Sequence, residues 1–129
     1  MMTVIVIGIL AAMAIPNYQK SVERGYLREA EDLLTTVFYG ERAYFFANNR
    51  YRADTDLGFT WNDIYMEDPN IGSIPVGFTV TASGIGPAAT FTATATRQGG
   101  PCDTNTRTIN DQRIFSGSWN TCTVIGTWP

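Results

Sequence analysis

The sequence predicts an α+β fold in which one long N-terminal helix packs, by its second half, on an antiparallel sheet. Three observations predict it. Apolar residues recur at helical spacing from the start of the chain to about Ala47, and turn-forming residues then dominate positions 50–74. After Pro75 the apolar period switches to two, the spacing of a strand with one buried face.

The first element is the most unusual. Met1 to Ile15 carries no charge and one hydroxyl, Thr3, and the run stops at Pro16. Met1, Val4, Ile5, Ile7, Ile9, Leu10, Met13 and Ile15 make a helix that is apolar all round, which must be hidden in lipid or against other helices. Fifteen such residues cover about 22 Å, a little short of the ~20 residues that cross a bilayer core. A secretory signal peptide needs a positive start, whereas the first cation here is Lys20. A buried core helix would end in a turn, whereas the helical pattern continues past Pro16. A membrane or filament anchor whose beginning precedes Met1 fits better. Pro16 lacks an N–H and clashes with the carbonyl of Ala12, and Gly8 adds backbone freedom. Gly8 to Pro16 is therefore the stretch expected to kink or unwind, with a mild bend as the alternative.

From Asn17 the helix becomes amphipathic. Tyr26, Ala30, Leu33, Val37 and Tyr44 form a stripe that Leu27, Leu34, Phe38 and Phe45 widen, while Arg24, Arg28, Glu31, Asp32, Glu41 and Arg42 are expected on the opposite face. Asn48 and Asn49 are suitable stop residues because Asn tolerates the left-handed conformation. Tyr18, Tyr39 and Phe46 fall off the stripe and are candidate contacts between subunits. The chain thus divides into an apolar helix, 1–21, and a head, 22–129. The head comprises an amphipathic helix (22–49), a surface connection (50–74) pinned by Phe59, Trp61 and Tyr65, and a sheet region (75–129). Phe78, Val80 and Ala82 alternate with threonines, Ser83 to Pro87 turns the chain, and Thr90 to Thr96 alternates again, which predicts a hairpin. A second hairpin is expected around Asn110-Asp111, joining 106–109 to 113–116.

Composition narrows the function. The 129 residues suit one modest domain. The net charge is −3, with no basic run, so nucleic-acid binding by counterion release lacks its footprint. With no histidine, imidazole metal ligation, Ser–His and Cys–His nucleophiles and His acid–base chemistry are all excluded. No nucleophile elbow or phosphate-binding glycine loop occurs. Asp54 with Asp56, and Glu67 with Asp68, are the acidic clusters in loops, and turn and capping use suits them better than calcium. An enzyme is not expected, nor a cofactor.

The order Gly8-Ile9-Leu10-Ala11-Ala12-Met13-Ala14-Ile15-Pro16-Asn17-Tyr18-Gln19 resembles the N-terminal helix of type IV pilins and of the pseudopilins of type II secretion. The match is dense from Met1 to about Arg28, and Tyr44 to Tyr51 looks like the end of the pilin helix. The resemblance implies a structural subunit of a type IV pilus-like filament, inserted in the inner membrane and then polymerised by pilus assembly machinery at the cell surface. Met1–Ile15 would lie in a central helical bundle, and the residues after Arg50 in an outer shell. The family's basic leader, its N-methylated Phe and its acidic residue would precede Met1; roughly six further mature residues would bring the run close to the ~20 a bilayer needs. In pilin filaments the stretch corresponding to Gly8–Pro16 is often extended. A pseudopilin or minor pilin that primes assembly or binds a ligand is the alternative.

Cys102 and Cys122 fit neither a redox pair nor a zinc site. In a chain with an export-type start they suggest one disulfide, worth about 3 kcal/mol, fastening the last strand region, Gly117 to Trp128, onto the sheet, with two reduced buried thiols as the alternative. A two-cysteine C-terminus is also common in the resembled family.

Overall fold

The computed structural model describes residues 1–127. Helix α1 (Met2–Asn48) runs without interruption through Gly8 and Pro16, about 70 Å at 1.5 Å per residue. Beside the proline, the side-chain amide of Asn17 donates to the Met13 carbonyl at 3.2 Å. The helix stops where the sequence expects. Asn49 turns left-handed (φ 59°) and its N–H reaches the Phe45 carbonyl.

Four strands follow: β1 (Val76–Ser83), β2 (Thr90–Arg97), β3 (Thr106–Asn110) and β4 (Phe115–Ser116). They pair antiparallel in the order β1-β2-β3-β4. The register places Phe78 opposite Ala95, Val80 opposite Ala93 and Ala93 opposite Ile109, so one face is apolar while threonines line the other. Alanines at the middle of that face leave room for the helix. Leu27, Ala30, Leu34 and Val37 are buried completely against it, with Phe78, Val80, Phe91 and Ile109 on the sheet side.

Several expectations need correcting. The helix stripe is centred on Leu27, Ala30, Leu34 and Val37, and Tyr26, Leu33, Phe38, Tyr44 and Phe45 flank it half-buried. Glu41, expected on the polar face, is fully buried in line with that stripe, and Glu23 is 2% exposed on the same line. In the connection, Trp61, Ile64 and Met66 point inward, whereas Tyr65 is exposed with a positive φ of 62°. The fourth strand is shorter than 113–116. The segment after Gly117 forms a 3₁₀ turn (Trp119–Thr121) around a fully buried Trp119 rather than a strand. Trp128 lies outside the described residues.

Candidate functional site

The feature that sets this molecule apart is its uncovered helix. Val4, Ile5, Ile7, Ile9, Leu10, Met13 and Ile15 are each more than half exposed, and Met1 is fully so. None of the apolar stretch is buried by the chain's own residues, and the helix is long and apolar enough to cross a membrane. Asn17, Tyr18 and Gln19 also carry no charge, so the uncharged helix reaches from Met2 to Gln19, about 27 Å. That is longer than the count ending at Pro16.

The head is locked to the remainder of α1 by polar groups whose roles the sequence did not reveal. Glu23 and Arg97 form a buried bidentate pair at 2.7 and 3.0 Å, and the guanidinium covers the Tyr26 ring at 4.7 Å. Its remaining amino group donates to the carbonyl of Gln98 at 2.7 Å. Arg107 donates to Glu31 at 2.8 Å and lies over Phe115. Arg24 donates to the carbonyls of Ile125 (3.0 Å) and Thr127 (3.1 Å), which draws the C-terminal segment onto the helix. Glu41 accepts the Arg52 backbone N–H at 2.8 Å through one carboxyl oxygen, and the other has no partner. Burial pushes the Glu41 pKa up to about 7 against the pull of that N–H; Asp56 raises it further and the Arg52 charge lowers it. Asp63 is held below its ordinary value, chiefly by the Thr60 backbone N–H and then by the Thr60 hydroxyl and Arg52.

The outer side of β1 is capped at two positions, and that of β3 is covered by β4. The Asn70 side chain takes the N–H of Phe78 (2.7 Å) and donates to its carbonyl (3.2 Å), as a neighbouring strand would. Asp54 does the same for Val80, accepting through its carboxylate and donating its own N–H, both at 3.0 Å. On the other side the two-residue β4 covers β3, and Ser118 Oγ accepts the Thr106 N–H. Filling an edge in this way denies it to strand addition by another chain.

The remaining candidates fall into place around this frame. Cys102 and Cys122 are bonded, with Cα atoms 5.9 Å apart and both residues buried. Tyr18, Tyr39 and Phe46 are exposed at 71, 55 and 78%. Arg113 covers the Tyr39 ring and Arg42 the Phe46 ring, each at 5.5 Å. Asp56 and Asp68 accept backbone N–H groups within their own turns, from Ala53 and Asn70. Glu67 and Asp68 line an open cleft of about 670 Å³ with Phe59 and Trp61. Among the described residues no three acidic or thiol side chains come together as metal ligands would. No family model matches this chain, and no curated protein or solved structure matches it significantly.

Proposed function

We propose that this chain is a structural subunit of a type IV pilus-like surface filament, polymerising through its N-terminal apolar helix. The observation that carries the proposal is the contrast between an uncovered apolar helix and a head whose sheet is capped along β1 and β3. Strand addition is hindered where β1 and β3 are capped, and the helix is the large apolar surface available for assembly. Identical subunits joined head-to-tail through such a helix give an open helical polymer. The order of residues from Gly8 to Gln19 supplies the pilin label. Before assembly the same helix would hold the subunit in the inner membrane, where assembly machinery would collect it. Within the bundle, Gly8 to Pro16 would be the stretch that extends, since Pro16 already removes one helix hydrogen bond.

Deletion of Met1–Pro16 tests the proposal. The remaining chain should sediment as a monomer in analytical ultracentrifugation, and filaments from that fragment would rule out the helical-bundle arrangement. A pseudopilin, or a low-abundance minor pilin that primes assembly or binds a ligand, would share the helix. The Cys102–Cys122 bridge and the weak acidic cluster favour the pilus subunit, and dominance of the chain in sheared surface filaments would decide between the two.

A further inference from the structure

The first charged residues after the uncharged helix are arranged in a way that assembly alone does not require. Lys20, Arg24 and Arg28 follow one another at four-residue spacing, which places them on one side of α1. The single acidic residue before position 29 is Glu23, and it is 2% exposed and paired bidentately with Arg97. All charge that the first 28 residues present to solvent is therefore positive, on a chain whose net charge is −3.

Position along the helix matters as much as sign. If the uncharged stretch that ends at Gln19 reaches the edge of the hydrocarbon core, Lys20 stands at that boundary, with Arg24 and Arg28 about 6 and 12 Å beyond. Helical Cα–Cβ bonds lean toward the N-terminus, which here is the side of the bilayer. Tyr18, 71% exposed, sits one half-turn earlier, where amphipathic rings gather at the membrane interface. The head adds rigidity: Arg24 is held by the carbonyls of Ile125 and Thr127, and Lys20 Nζ lies 3.4 Å from where a Cβ on Gly126 would stand.

We infer that Tyr18, Lys20, Arg24 and Arg28 form an interfacial collar that binds the headgroups of anionic phospholipids and sets the depth of the subunit in the membrane before assembly. The inference rests on the membrane-inserted stage of the function proposed above. It assigns the base of the head a specific lipid partner through charge complementarity.

The test uses the full chain reconstituted in bilayers of phosphatidylcholine with and without phosphatidylglycerol. Insertion is read by carbonate-resistant flotation, and lipid preference by mass spectrometry of the phospholipid that remains bound after mild detergent extraction. Wild-type chain should insert in both membranes and retain phosphatidylglycerol about five- to tenfold above its bulk proportion, the scale expected for a few cations at a membrane surface. The Lys20→Gln, Arg28→Gln double variant leaves the Arg24 contacts intact. It should insert equally and retain phosphatidylglycerol near its bulk proportion. Insertion with retention at the bulk proportion by the wild type would overturn the collar and leave the filament proposal standing. Failure to insert in either bilayer would overturn the membrane stage and the collar with it.

Discussion

Two glutamates on one line of α1 show how much a single buried atom decides. Glu23 and Glu41 both lie on the stripe that continues Leu27, Ala30, Leu34 and Val37, and both are buried. Glu23 has its charge answered by Arg97 through two hydrogen bonds. Glu41 has one backbone N–H and one orphaned oxygen, so its charged form is poorly served there. Its pKa is raised from 4.5 to about 7, chiefly by burial. Between those values the folded chain keeps a proton that the unfolded chain releases. Stability from this group is therefore fully present below about pH 4.5 and is lost as pH rises toward about 7, at about 1.4 kcal/mol per pH unit. Glu41→Gln should flatten that fall, so that the variant gains on the wild type as pH rises from 5 to 8. Chemical denaturation of both proteins across that range is the measurement. An unchanged pH slope in the variant would mean that another group titrates.

At the scale of elements, what was legible followed from periodicity, and what was missed followed from partners distant in sequence. Alternating threonines announced β1 and β2 with nearly their observed bounds, and Asn48-Asn49 announced the helix stop. Every residue of the expected stripe reaches the core, with Leu27, Ala30, Leu34 and Val37 at its centre and Tyr26, Leu33, Phe38, Tyr44 and Phe45 on its flanks. Glu41 was placed on the polar face by its charge, although it falls four residues beyond Val37 on the buried line. The edge-capping roles of Asp54 and Asn70 look like ordinary turn chemistry until β1 lies beside them, 26 and 8 residues away. The disulfide was expected, but its setting was not: it closes a 20-residue separation between the segment after β2 and the 3₁₀ turn of Trp119. Closing a loop of this length contributes about 3 kcal/mol, and each kcal/mol moves the midpoint of a domain this size by roughly 4 °C. Reduction of the bond should lower the thermal midpoint by about 10 °C, read by circular dichroism with and without reductant. A shift of a degree or less would show that the C-terminal segment is held by Trp119, Ile125 and the Arg24 contacts without help from the bridge.

The molecule as a whole consists of two parts with separate sources of stability. The head owes its fold to a core that begins at Leu27 and to the polar locks of Glu23, Arg24, Glu31 and Glu41. The helix before Lys20 contributes no buried residue to that core. Its stability is not supplied by the head, since helices are held in proteins mainly by the packing of an apolar face. The two parts should therefore come apart without loss to the head. A chain beginning at Asn17 keeps every one of those locks, and Asn is among the best residues to cap a helix start. Its thermal midpoint should fall within about 2 °C of that of the full chain in the same detergent, because less than 0.5 kcal/mol of head stability is at stake. Scanning calorimetry on both proteins measures this directly. A drop of many degrees would show that the free half of the helix supports the head.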